Sequence, residues 1–470
     1  MKKKLKNVDR RDFLKTIGTA GIATSLANVT NALASSEPQA GPAEPNAPVD
    51  PNAAQQEQAL LVAPRKDLGK TGVKVSSLGL GMMYNVVDNQ IILRSALRYG
   101  VNYWDTANNY GGGNSELGIG VFFERNPEER ENIFLVSKAS NANSVAQIEE
   151  RLQTSLERMK TDYIDLYDFP HGLNDPSQLS DEVKQWVESA KEKGQIKYFG
   201  FSAHSNMATA LEAAAKLGWI DVIMFSYNYR LAQDAALQKA IDACYEQKIG
   251  LVAMKAAGRA SSGDEGGRGR GGRGARGERA GATGERGARG ERGTPGERGA
   301  RRGAEQPATV QTAQSEELTE SLIERGFTQL QAAIKLVMDD ERISCVNVGM
   351  ETVPILTANV AAALDKESLT AAEQNAFRQY AQATCSGYCA GCSQICDSAL
   401  GGNSYVRDIM RYLMYYNSYG SKEMARELFA EIPLNIRNHL LQTDYSLAEA
   451  RCPQHIPISE YITEAVGKLA

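Results

Sequence analysis

The sequence predicts a closed barrel of eight parallel strands wrapped by helices. Eight short runs rich in Val, Ile and aromatics alternate with amphipathic stretches of helical period, the pattern of repeated βαβ units. Strands are expected at Val75–Met82, Tyr103–Ala107, Ile133–Lys138, Tyr163–Phe169, Ile196–Ser202, Val222–Tyr227, Leu251–Lys255 and Ser344–Gly349. No Gly-x-Gly-x-x-Gly stands at a strand-to-helix turn, which argues against a doubly wound dinucleotide fold. Eight units over this length, less one insertion, fit a (β/α)8 TIM barrel.

The intervening helices include Val145–Met159, Leu179–Gly194 and Met207–Leu217, each with apolar residues recurring along one face. Ahead of the first strand, Lys66 to Val73 carries hairpin turn chemistry and is placed to plug one end of the barrel. The barrel is assigned to 65–370. A small α-helical, Cys-rich extension follows over 371–470, with helices expected at Tyr405–Tyr416 and Ser421–Ile432.

Composition bounds the partners. The chain has 470 residues and a net charge of −5, so no overall basic excess points to nucleic acid. Past the leader, no stretch has the roughly 18 apolar residues that span a bilayer. Residues 1–34 read as a leader: a basic start, Arg10-Arg11 followed by Phe13-Leu14-Lys15, an apolar run, and Ala32-Leu33-Ala34 as small residues at a cleavage site. An amphipathic N-terminal helix is the plainer alternative. Residues 35–64 are rich in Pro, Ala, Gln and Glu and read as a flexible tether.

The insertion runs over 261–307. From Gly281 to Gly299 every third residue is glycine, a collagen-like pattern, yet Pro295 is the lone proline of that repeat. It is expected to be a disordered, Arg-rich loop, with an intermolecular trimerising element as the sharper alternative. It follows the seventh strand, and so leaves the face where barrel active sites are built.

Four segments carry further information. Asp105 ends a strand and Tyr110 follows in the loop, within Asp105-Thr106-Ala107-Asn108-Asn109-Tyr110-Gly111. Lys138 ends the next strand. Asp165-Leu166-Tyr167 leads to His171, and Gly194 to Ser202 leads through the next. In this order the motifs resemble the aldo/keto reductase family. The leader likewise resembles a twin-arginine (Tat) signal, whose translocase carries folded proteins to the periplasm or cell exterior.

The family resemblance implies NADP(H)-dependent interconversion of an aldehyde or ketone, sugar-derived ones included, with its alcohol. Tyr110 would be the proton donor, Lys138 the cation that lowers its pKa, Asp105 the carboxylate that holds Lys138, and His171 a hydrogen-bond donor to the substrate oxygen. The histidine stands one residue farther from Asp165-Leu166-Tyr167 than the family pattern, which a bulge would absorb. Ser202 matches a serine that meets the nicotinamide. His204, Tyr227 and Asn228 are further cofactor candidates, and Gly349, Met350 and Asn359 resemble the phosphate and adenine region. Two departures are Ala203 for an asparagine and Met224 for a glutamine. They motivate a second reading: an exported scaffold or binding protein that keeps the barrel without its chemistry.

Five of the seven cysteines lie late in the chain, at Cys385, Cys389, Cys392, Cys396 and Cys452, the last before Pro453. They resemble the ligands of a ferredoxin-like [4Fe–4S] tail. One cluster would use Cys389 and Cys392 with two of Cys385, Cys396 and Cys452. Disulfides are an alternative in an exported protein, and zinc fits the spacing less well. Cys244 and Cys345 read as buried packing residues.

Overall fold

The computed structural model describes residues 62–258, 327–383 and 385–470. The leader, residues 35–61 of the tether, and the Gly/Arg-rich insertion lie outside the described residues.

Eight parallel strands close on themselves in the order β10-β3-β4-β5-β6-β7-β8-β9. They are β3 (Leu78–Gly81), β4 (Tyr103–Asp105), β5 (Phe134–Lys138), β6 (Ile164–His171), β7 (Ile196–Ala203), β8 (Val222–Ser226), β9 (Gly250–Met254) and β10 (Cys345–Gly349). The remaining two, β1 (Arg65–Asp67) and β2 (Lys74–Ser76), pair antiparallel outside the barrel. The single strand expected over Val75–Met82 is therefore two. Ser76 Oγ turns to the Leu78 carbonyl at 2.7 Å, and its backbone N–H donates to Asn102 at 2.7 Å. These bonds end the hairpin strand and start the barrel strand in a new direction.

The β1–β2 hairpin plugs the barrel as expected. Leu68 is fully buried among inward-facing side chains of the strands, including Tyr103, Val136, Leu166, Val222 and Val252. The turn before Gly72 packs so closely on the start of β9 that a Cβ on Gly69 would lie 2.3 Å from the Gly250 nitrogen. Only glycine fits there, and its φ is +54°.

Helices return the chain on the outside. Their starts are set locally, by Ser144, Ser180, Asp234, Thr328 and Thr352, whose side chains accept from backbone N–H groups in the first turn. Their inner faces and the outward strand residues form one large core containing Trp104, Tyr167, Phe199, Phe201 and Phe225.

The extension has a core of its own. Helices Val406–Ser418, Lys422–Ala430 and Ile458–Leu469 bury Ile409, Leu413, Phe429, Ile458, Ile462 and Leu469 around Cys396 and Cys452. It is tied to the barrel mouth by Asn206 N–H to the Gly391 carbonyl at 3.1 Å and by Asn228 to the Tyr388 hydroxyl at 2.9 Å. Among the described residues no helix is long and apolar enough to cross a membrane.

Candidate active site

Asp105, Lys138 and His171 are the last residues of three successive strands, so closing the barrel brings them to one rim. Lys138 Nζ forms an ion pair with Asp105 Oδ1 and donates to the Thr106 carbonyl at 2.6 Å. The other Asp105 oxygen accepts from Asn347 at 2.9 Å. The pair is buried, at 1% and 3% side-chain exposure, so it is held by its protein partners rather than by solvent. Burial pushes the Asp105 carboxyl up, and Lys138 opposes it.

Tyr110 follows in the loop after β4, with Lys138 Nζ 5.1 Å from its ring centroid. Its hydroxyl is 3.4 Å from His171 Nε2. The β6–β7 register shifts between Asp168 and His171, so the irregularity absorbs the extra residue and the imidazole reaches the phenol. His171 Nδ1 meets Ser140 Oγ at 2.6 Å, and Ser140 also meets Asn109 at 2.8 Å. Ser140 gives its one proton to Asn109 Oδ1, so it accepts from His171 Nδ1–H, which leaves Nε2 as an acceptor facing the Tyr110 hydroxyl. Burial, with the charges of Lys138 and Arg411, keeps His171 neutral by lowering its pKa well below the usual range.

The phenol differs from expectation. Burial pushes its pKa well above 10, and Asp105, Tyr415 and Asp168 add to the rise. The cation that opposes them is Arg411 of the extension rather than Lys138, whose charge is matched by Asp105. Asp168 lies beside Lys138 in the register, fully buried, and neither of its oxygens has a hydrogen-bond partner. Burial drives its carboxyl up to about 7.

The cofactor candidates divide. Ser202 is buried at the end of β7, and its hydroxyl accepts from Gly172 N–H at 3.0 Å. His204 stands next to His171, ring centroids 6.3 Å apart, with a buried Nδ1 that has no partner. Tyr227 belongs to the core between strands and helices, its hydroxyl donating to Asp340 at 2.9 Å. Asn228 is engaged by Tyr388 and by the Lys255 carbonyl. Gly349 ends β10, Met350 is buried with its carbonyl bound by Tyr84, and Asn359 is buried on the helix Val353–Leu364 with an unpartnered amide nitrogen.

A cavity lies beside this rim, between the ends of β7, β8 and β9 and the extension. His204, Ser226 and Lys255 line it from the barrel, and Arg407, Asp408 and Arg411 from the extension. Burial pushes the Lys255 ammonium well below the lysine range, and Arg411 adds to that shift. A second, smaller cavity is lined by Cys389, Cys392, Cys396 and Cys452. Cys385 stands apart in a short turn of its own. None of the seven cysteines is in a disulfide, and Cys244 and Cys345 are fully buried in the barrel, as expected of packing residues. Among the described residues, no three His, Cys, Asp or Glu side chains are grouped to hold a single metal ion.

Sequence reasoning did not single out Ser140, Asn347 or Arg411. Ser140 had a signal, since it lies two residues past Lys138. Asn347 meets Asp105 across 242 residues, and Arg411 comes from another core, so neither had a local one.

Fold and site together define the class: a (β/α)8 barrel whose mouth holds a phenol and an imidazole in contact above a buried ion pair. The chain belongs to the aldo/keto reductase family, whose model matches residues 77–378. It is similar to an uncharacterized oxidoreductase of Bacillus subtilis, 30% identical over 210 residues, which are 40% of this chain and 64% of that protein. It is also similar to L-galactose dehydrogenase of Arabidopsis thaliana, 26% identical over 39% of this chain and 62% of the relative. An NADP(+) aldo-keto reductase of Schizosaccharomyces pombe is 28% identical over 39% and 56%. The chain thus spans less than two thirds of these curated relatives. Among solved structures, the holo form of a Bacillus halodurans aldo-keto reductase is 23% identical, with a TM-score of 0.49, over 68% of this chain and 96% of that one.

Proposed function

We propose that the chain is an NADP(H)-dependent oxidoreductase that interconverts a small aldehyde or ketone, sugar-derived ones included, and its alcohol, with Tyr110 as proton donor. The observation that carries this reading is the contact of Tyr110 with His171 above the Lys138–Asp105 pair.

The mouth has atoms suited to a nicotinamide. His204 Nδ1, Asn206 Oδ1 and Ser226 Oγ are buried without partners, and a carboxamide offers both a donor and an acceptor. When bound, NADPH supplies the hydride that the carbonyl carbon receives. The residues handle the proton and the oxygen. For His171 to donate from Nε2 to the carbonyl oxygen and orient it, Ser140 turns its proton from Asn109 Oδ1 to His171 Nδ1 when substrate binds. Tyr110 gives its phenolic proton to the same oxygen as negative charge develops there. Its raised pKa keeps it protonated at neutral pH, which suits reduction. Oxidation of the alcohol needs the phenolate and gains as pH rises. Arg411 of the extension is the cation that favours the phenolate that remains, while Lys138 is fixed by Asp105 and the Thr106 carbonyl beside the ring.

Of the five late cysteines, Cys389, Cys392, Cys396 and Cys452 line one cavity and are the thiols that would hold a [4Fe–4S] cluster. Burial, with the neighbouring thiols adding to it, drives Cys389 and Cys396 up to about 12. A cationic centre that binds thiolates would relieve that crowding. The leader supports export through the twin-arginine translocase to the periplasm or cell exterior, as a folded, loaded protein.

The test is carbonyl-dependent NADPH oxidation by anaerobically purified protein. Tyr110→Phe is expected to lose about 10²–10⁴-fold in turnover with its fold intact. Unchanged turnover would defeat the assignment of the donor. An iron and sulfide assay on the same sample tests the cluster.

A further inference from the structure

The cavity beside the barrel rim is unbalanced in charge. Lys255, Arg407 and Arg411 are the basic side chains, and Asp408 the carboxylate, among its lining residues. Asp408 is shared: one oxygen takes Arg407 Nε at 3.1 Å, the other takes Arg411 at 3.0 Å. Arg407 is further fixed by Ser205 and Ser393, at 3.1 and 3.0 Å. Lys255 Nζ has no ion pair among the described residues and rests 5.3 Å from the Tyr415 ring centroid. On the extension's wall, Arg411 Nε is buried and unpartnered. Enclosed cations without a counter-charge are costly, and a guanidinium edge with an open N–H matches a planar or tetrahedral oxyanion.

We propose that this cavity binds an oxyanion group, carboxylate or phosphate, carried by the carbonyl substrate itself, with Arg411 and Lys255 as its counter-charges. The inference rests on the reductase reading and narrows it to anionic carbonyl compounds. Arg411 bears electrostatically on Tyr110 and His171, and Lys255 on His204 next to His171, so the charged end of a substrate would be held by the extension while its carbonyl lies over the barrel. The extension then acts as a specificity element, and Arg411 as the residue that reads charge.

The experiment uses holo full-length protein and two matched pairs: succinate semialdehyde against butanal, and glyceraldehyde 3-phosphate against glyceraldehyde. In wild type, the charged member of at least one pair should have the higher kcat/KM by about tenfold or more. Arg411→Gln should erase most of that ratio through KM, and Arg411→Lys should restore part of it. A wild-type ratio near one for both pairs overturns the proposal. So does a ratio that Arg411→Gln leaves intact. NADPH titration separates the source of the anion: if Lys255→Met and Arg411→Gln weaken NADPH binding and spare the ratio, the cavity serves the cofactor's phosphates and the inference fails. Calorimetry with succinate and with inorganic phosphate, neither of which turns over, keeps the two readings distinct. No binding of either anion, with turnover of neutral aldehydes present, sinks this inference alone. Arg411-dependent anion binding without any turnover sinks the reductase reading alone.

Discussion

The barrel and the extension treat buried charge in opposite ways. In the barrel, one ammonium meets one carboxylate, and each partner has one further hydrogen bond, Lys138 to the Thr106 carbonyl and Asp105 from Asn347. In the rim cavity, two guanidinium groups share one carboxylate, and Lys255 has no ion pair among the described residues. A balanced pair fixes geometry and asks nothing of a ligand. An unbalanced set is stable only while something else supplies charge. The same residue types thus mark structure in one place and recognition in the other, and the count of partners tells them apart.

The sharpest way to break that contrast is to unbalance the barrel pair. Lys138→Met leaves Asp105 buried and unpaired, and should cost about 3–5 kcal/mol in a denaturant titration. A loss below about 1 kcal/mol would mean that Asn347 alone can hold the carboxylate.

Asp168 is an exception within the barrel, a buried carboxylate with no hydrogen bond, so it should behave like the rim rather than like Asp105. Burial holds its pKa at about 7 in the fold, against an ordinary 3.8. The folded chain therefore keeps a proton that the unfolded chain has released between those two values. Stability falls as pH rises through that window, and the deficit above it is a few kcal/mol at about 1.4 kcal/mol per unit. Asp168→Asn cannot titrate, so its advantage over wild type should grow from about pH 5 to about pH 8 by roughly 1–3 kcal/mol. Parallel stability curves for the two proteins would show that the carboxylate is solvated in solution.

A smaller effect should follow from Ser140→Ala. Losing one hydrogen bond to His171 frees the ring without removing it, and kcat should fall by about tenfold, near 1.4 kcal/mol. The fall should be larger in kcat than in KM, because the imidazole acts on the reacting oxygen. Equal turnover would place the orientation of His171 with Tyr110 and the backbone instead.

What could be read in advance follows the range of each interaction. Strands and returning helices are written as local periods, so the barrel, its plug and the end positions of Asp105, Lys138 and His171 were legible. The break at Ser77 was not, because an unbroken apolar run conceals a change of pairing partner that depends on Asn102. The Tyr110 phenol shows a second limit. Placing a lysine next to a tyrosine suggested a lowered pKa, but burial and Asp105 outweigh it, and neither can be weighed without depth. Arg411 and the four grouped thiols needed the extension's own core to form first, since spacing alone left the choice among Cys385, Cys396 and Cys452 open.

Cys389, Ala390, Arg407 and Met410 line both cavities. The thiol-lined cavity and the cavity beside Lys255 and Arg411 are therefore parted by a single layer of side chains, so a group seated against one would press on residues that also line the other.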